Sequence, residues 1–357
     1  MVRKDIVNEI QKRLRRFDSE APKIAILLVV TLQNEKLAED YEQFSVNTTY
    51  TSDEELNEMI TALKSFVPYY DVSFGERDFI RKIESGEFDQ LKDYEKVVYS
   101  ESSAGLSRSA SALVPALCEL YKFKYCSNDI FTDAFLDNKM AAWGVLKSLG
   151  IKLPATWFYY YKMGWMGESP TETKGRLICK PAYGCASLGI DQKAISEFNE
   201  DYTQHIHKLS QNFDQPMMVQ RLIEGFEVEV PVFDLSGAFI AGVSGISMHG
   251  KQEIGDAVLS YDTIFEDAFD LYDFYEYNEK VAEELMTISK KAYTHMQLKG
   301  PVRFDFRIDK SGECYLMDFN NTPHLGTKHS FAYVIKKLGL NYIDMLKLVI
   351  YPAVFQE

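Results

Sequence analysis

Apolar residues along the chain follow two periodicities. Ile6, Ile10, Leu14 and Phe17 recur at helical spacing with Lys and Arg between them, which predicts an amphipathic helix. Its apolar stripe could pack on its own domain, on a partner subunit or, as a basic helix, on a membrane surface. The run KIAILLVV at 23–30 is continuously apolar, as in a parallel strand buried on both faces. Residues 51–66 carry a helix pattern. KVVYS at 96–100 reads as a strand, 109–122 as a helix and FKYCS as a short strand. This alternation predicts an open α/β unit.

Beyond it, residues 136–150 read as a helix ending at a glycine cap. RLICKPAYGCASLGI (176–190), PMMVQRLIEGFEVEVPVFD (216–234), AFIAGVSGIS (238–247), GPVRFDFRID (300–309) and CYLMDFNNTP (314–323) follow, with a charged helix near 275–298. The second half is therefore antiparallel sheet with helices. Its most informative part is a hairpin. Val302, Phe304, Phe306 and Ile308 alternate with Arg303, Asp305, Arg307 and Asp309, a strand with one apolar face. A turn at 309–312 would pair Ile308 with Glu313, Arg303 with Asp318 and Asp305 with Leu316. Arg303, Asp305, Asp318 and Asn320 then share one face. Two carboxylates and an amide oxygen are hard ligands suited to Mg²⁺; a solvated hairpin face is the alternative.

Composition narrows the partners. Apolar residues make up 46% of 357, enough for a substantial core. The net charge of −14, from 53 acidic and 39 basic residues, disfavours nucleic acid but not a small anion held by a few local cations. The five cysteines form no CxxC pair, which predicts a reducing, cytoplasmic setting without disulfides. No apolar run approaches the ~18 residues of a membrane span, and no signal-peptide pattern is present.

Further motifs surround the hairpin. Lys180-Pro181 leads into a small-residue loop from Gly184 to Gly189, where backbone N–H groups can approach an anion. The GK[ST] ending of a P-loop is missing. Glu224-Gly225 separates an apolar strand from one carrying Glu227 and Glu229. Taken in order, Lys139 on a helix, Gly150-Ile151-x-x-Pro154, Lys180-Pro181, Ile223-x-Gly225-x-Glu227, Arg303-x-Asp305 and Asp318-x-Asn320 resemble the ATP-grasp enzymes, most closely the D-alanine–D-alanine ligase branch. The resemblance covers about residues 131–350.

It implies an N-terminal α/β domain over 1–130 and two α+β lobes, 131–212 and 213–357, clamping ATP. It implies that Lys139 and Lys180 contact phosphates under a loop from Gly184 to Ser187. Gln220, Arg221 and Leu222 would line the adenine pocket, and Glu227 would hold the ribose. Asp305, Asp318 and Asn320 would bind two Mg²⁺ ions, and Arg303 would steady an oxyanion. The implied activity is an ADP-forming C–N ligase working through an acyl phosphate, under a lid near 244–265. A homodimer is expected, with small-molecule carboxylate and amine as partners and neither nucleic acid nor membrane.

The departures fall around the amino-acid substrates. The family's first-strand Gly-Gly-x-Ser-x-Glu and its His-Gly-x-x-Gly-Glu-Asp-Gly are missing, Ala186 stands for a loop serine, and His324 stands for a glycine. Amino acids or a specialised metabolite, rather than D-alanine, are therefore the expected substrates. Glu101, Ser102, Ser103, Ser107, Arg108 and Ser109 are candidates for the carboxylate pocket; Tyr261, His324, Lys328, His329 and Ser330 are candidates for the rest of the substrate site. The competing reading is an ATP-binding regulatory protein that has lost catalysis.

Overall fold

Three sheets carry the chain. The structure, a computed structural model, describes residues 3–33, 41, 44–102, 107–170, 174–184, 187–260, 263 and 268–355. The first sheet follows helix α1 (Arg3–Glu20) and contains β1 (Ile24–Val30), β2 (Tyr69–Phe74), β3 (Glu95–Glu101) and β4 (Lys124–Tyr125). Its strands are parallel in the order β2-β1-β3-β4. Between them run α2 (Asp53–Leu63), α3 (Gly75–Glu84) and α4 (Leu113–Tyr121). Every residue of β1 is buried. Ile24, Ile26, Leu28 and Val30 face one core and Ala25, Leu27 and Val29 the other, which is why the sequence shows no alternation here.

Then come α5 (Ile130–Leu136) and α6 (Lys139–Ser148). The single helix expected over 136–150 is thus two pieces. Asn138 breaks the run because its side chain accepts from Ala141 N and caps α6, which places Lys139 in the first turn. The second sheet holds β5 (Thr156–Tyr160), β6 (Gly164–Trp165), β7 (Arg176–Pro181), β8 (Ile195–Glu197) and, after α7 (Glu200–Asn212), β9 (Met217–Arg221), in the order β6-β5-β9-β7-β8. β9, which follows residue 212, thus belongs to this sheet.

The third sheet contains β10 (Gly225–Asp234), β11 (Ala238–Phe239), β12 (Ser244–Ser247), β13 (Glu253–Gly255) and β14 (Asp270–Asp273). Helices α8 (Phe274–Tyr277) and α9 (Glu279–His295) lead to β15 (Val302–Ile308) and β16 (Cys314–Asn320). The central path is β14-β12-β10-β15-β16. The last helices are α10 (Ser330–Lys337) and α11 (Tyr342–Val354). They join α1 and one face of the parallel sheet in a common core. The stripe of α1 is therefore covered by its own chain. Ile10 and Phe17 are fully buried there.

Two expectations change. The hairpin turn is one residue longer, so Ile308 pairs with Cys314, and a β-bulge after Asp305 puts Met317 out of register. Arg303 faces Asn320 and Asp305 faces Asp318. The two one-residue shifts add to two, so the polar set stays on one face. The stretch expected to act as a lid begins as sheet. A Cβ on Gly245 would lie 2.2 Å from the Tyr272 ring, so this glycine serves close packing and not a hinge. Residues 261, 262 and 264–267, with Tyr261 among them, lie outside the described residues. Cys118, Cys126, Cys179 and Cys314 are free and buried; Cys185 lies outside the described residues.

Candidate active site

The cleft lies between the second and third sheets, with the first turn of α6 at one side. Antiparallel pairing fixes its floor. β10, β15 and β16 run side by side, and Glu229 faces Asp305, which faces Asp318. Three carboxylates thus form one row across three strands. Directly opposed like charges destabilise a sheet, so the row needs cations. Lys139 Nζ lies 3.0 Å from Asp318 Oδ1 and Lys180 Nζ 3.1 Å from Oδ2. Lys180 also donates to the carbonyl of Met317 at 2.9 Å, the residue displaced by the bulge. Arg303 donates twice to Asp305, at 2.7 and 2.9 Å, and lies 3.4 Å from Glu229.

A second row places Glu227 opposite Arg307. The buried Arg307 donates to Glu227 at 2.7 Å and to the carbonyls of Gly255 and Ala257. Among the described residues lining the cleft, four cations therefore balance four carboxylates.

The titration of these groups follows from burial against pairing. Burial alone would raise the Asp318 carboxyl, but Lys139 and Lys180 overcome it and hold it at about 2. Burial lowers Lys180; Asp318 opposes that shift and the like charge of Lys139 adds to it. Burial raises Glu229, with Arg303 opposing and Asp305 adding. Burial works against the Arg303 charge, yet Asp305 and Glu229 raise its pKa. A dense set of perturbed charges in a cleft is a signature of functional sites.

Most of the expected nucleotide residues meet here. Lys139, Lys180, Gly184, Ser187, Gln220, Leu222, Glu227, Arg303, Asp305, Asp318 and Asn320 all line the cleft. Arg221 does not. It follows the inward-facing Gln220 on β9 and is exposed, as strand alternation requires. Arg108 and Ser109 are exposed and line no part of this cleft. Ser102 is buried and bonded to Thr31, and Ser103 lies outside the described residues. Glu229 and Arg307 were not singled out from the sequence. Both were legible in the period-two pattern, since Glu229 is two residues from Glu227 and Arg307 two from Asp305.

A second cluster stands where the first and third sheets meet. In the parallel sheet the strand order reverses between β1 and β3, and ligands of such sheets bind beyond the strand ends at this point. Glu101 ends β3, and Glu55 sits in the first turn of α2. Glu101 accepts from Tyr99 Oη at 2.8 Å and from Thr51 Oγ1 at 2.9 Å. Glu55 lies 2.8 Å from His329 Nε2, and His324 stacks on His329 with ring centroids 5.4 Å apart. Burial pushes the His324 imidazole down to about 4; His329 and Arg303 add to the shift and Glu55 opposes it. Burial would raise Glu55, but the His329 hydrogen bond, His324 and Ser52 bring it to about 2. The sequence singled out both histidines but not Glu55, because its partners are some 270 residues away. Ser330, at the start of α10, is buried beside Glu229.

The comparisons bear on this geometry. The family model described as "D-ala D-ala ligase C-terminus" matches residues 151–351. The chain belongs to this family. A D-alanine–D-alanine ligase of Aquifex aeolicus is 23% identical over 66% of this chain and 76% of its own length. That of Legionella pneumophila strain Lens is 24% identical over 68% of each chain. In fold, the chain is similar to the D-alanine–D-alanine ligase of Bacillus anthracis complexed with ATP (TM-score 0.67, 14% identity, 93% of this chain and 97% of that one). It is also similar to the VanG D-Ala:D-Ser ligase of Enterococcus faecalis (TM-score 0.63, 14% identity, 92% and 99%). The architecture is thus the ATP-grasp fold, with helices and sheets mixed as expected. No helix among the described residues is long and apolar enough to cross a membrane.

Proposed function

We propose that this chain is an ATP- and Mg²⁺-dependent carboxylate–amine ligase that forms an amide through an acyl phosphate. The carrying observation is the Glu229–Asp305–Asp318 row, neutralised by Arg303, Lys139 and Lys180. Such a row would release its lysines to phosphate oxygens and offer its carboxylates to a cation. Asp305, Asp318 and Asn320 supply oxygen donors only, which fits Mg²⁺. We assign two ions to them. Bound there, Mg²⁺ would spread the charge of a transferring phosphoryl group.

The remaining roles follow from position. Lys139 and Lys180 hold phosphates under the loop from Gly184 to Ser187. Gln220 and Leu222 contact the adenine, and Glu227, steadied by Arg307, contacts the ribose. A substrate carboxylate oxygen attacks the γ-phosphorus and ADP leaves. The amine nitrogen, having lost a proton, then attacks the acyl carbon, and phosphate leaves with the former carboxylate oxygen. Arg303 faces the oxyanion formed in that attack. A fixed donor at this place contributes roughly 3 kcal/mol.

The relatives are named for D-alanine, but we assign this chain other substrates, amino acids or a specialised metabolite. Support comes from the strand-end cluster of Glu55, Glu101, His324 and His329, where His324 stands for the family's glycine.

The test is phosphate release from ATP and Mg²⁺ with pooled carboxylates and amines. Release should require one of each. Arg303→Ala should lower kcat by about 10²–10³-fold, and Asp318→Ala should abolish release. Tight ATP binding with no turnover across broad pools would favour the regulatory reading instead.

A further inference from the structure

We propose that Glu55, His324 and His329 form a site for a borderline divalent cation such as Zn²⁺ or Co²⁺, distinct from the oxygen-lined Mg²⁺ set. One ligand atom from each lies within 4.8 Å of the others. Two imidazoles and one carboxylate are a recurrent donor set for these metals, whereas Mg²⁺ prefers oxygen alone. On a tetrahedral ion with bonds of about 2.0–2.1 Å, ligand atoms stand about 3.4 Å apart. The Glu55–His329 pair, 2.8 Å apart, is already inside that distance.

The cluster is organised for capture. Glu55 Oε2 accepts from the Ser52 backbone N–H and hydroxyl, both at 2.9 Å. This fixes the carboxylate and leaves Oε1 towards the rings, a supporting shell typical of metal carboxylates. Oε1 is hydrogen-bonded to His329 Nε2 at 2.8 Å. The His324 ring has no hydrogen-bond partner among the described residues. A cation among them would give all three groups a partner. Gly326 lets the loop approach, since a Cβ there would lie 2.9 Å from Glu55 Cγ. Thr327 docks the same loop on α2 through Glu58, at 2.8 and 3.2 Å.

The bound ion would tie α2 of the N-terminal unit to the loop after β16. It would also place a Lewis acid in the electrostatic neighbourhood of Arg303, where a substrate carboxylate or amine could complete its coordination. The site rests on these residues alone and does not require the ligase reading.

The test titrates the chelator-stripped full-length chain with Co²⁺ and with Zn²⁺ under saturating Mg²⁺. One equivalent should bind, give a visible d–d band with Co²⁺ and raise the Tm. Affinity should fall at least about 100-fold in His324→Ala and in Glu55→Gln, while Asp318→Asn binds like wild type. No stoichiometric binding, wild-type affinity in both ligand variants, or loss in Asp318→Asn would overturn the proposal. Should those variants misfold, acylation of wild-type histidines read by mass spectrometry decides. Zn²⁺ should protect His324 and His329, and labelling unchanged by Zn²⁺ overturns the site.

Discussion

Gln220 lines the cleft from β9, and its buried Oε1 has no hydrogen-bond partner among the described residues. Removing an unsatisfied buried acceptor is neutral or stabilising for the fold. For a ligand that donates to it, the same change loses roughly 1–1.5 kcal/mol. Gln220→Met also gives up the Nε2 hydrogen bond to Thr156 Oγ1, 3.3 Å long, so the two effects on the fold offset; the Tm should hardly move while the KM for ATP rises about tenfold, as melting and steady-state kinetics on one preparation would show. Glu101 makes a pH prediction. Burial raises its pKa; Glu55 adds to the shift, and hydrogen bonds from Tyr99 and Thr51 oppose it. A carboxyl raised in the folded state lends stability that is complete below its unfolded pKa and lost as pH rises through its folded value. Glu101→Gln should thus melt above wild type at pH 8, with the gap closing below about pH 5. A gap that does not change with pH would refute the assignment.

At the level of strands, the β10–β15 seam depends on one glycine. Gly225 has φ +147, and a Cβ there would lie 1.9 Å from the carbonyl oxygen of Ile308. Gly225→Ala should cost about 3 kcal/mol in chemical denaturation and should weaken nucleotide binding, because β10 carries Glu227 and Glu229. The neighbouring hairpin shows what a sequence can and cannot tell. Alternation in RFDFRID announced its polar face, and β1 and the amphipathic helix were equally plain. The register was not, since a bulge is a local twist with no composition of its own. β2, α3 and α7 were not singled out either. β2 is half-buried, so YYDVSF lacks clean alternation. The cleft residues Lys139, Lys180, Asp305 and Asp318 were legible because motif order carried them, whereas Glu55 and the outward turn of Arg221 depend on tertiary placement.

Across the whole molecule, α1 is a structural member of the core. Phe17 is fully buried and meets Phe66 edge-on at 5.9 Å. Lys347 pairs with Asp18 at 2.6 Å, and Arg16 lies over the Phe355 ring at 4.3 Å. Phe17→Ala should cost about 3–5 kcal/mol, measured by denaturant unfolding, and should lower the Tm of the whole chain rather than of one lobe.

The packing of α1 on α11 also has a consequence for synthesis. Helix α1 is covered in part by a helix made more than 320 residues after it. At ribosomal rates of about 5–20 residues per second, the stripe of Ile6, Ile10, Leu14 and Phe17 waits roughly 16–65 s for its partner. In that interval only part of its cover has been made, Phe66 and one face of the parallel sheet, so a greasy, positively charged helix stays half open until the last turn of synthesis closes it.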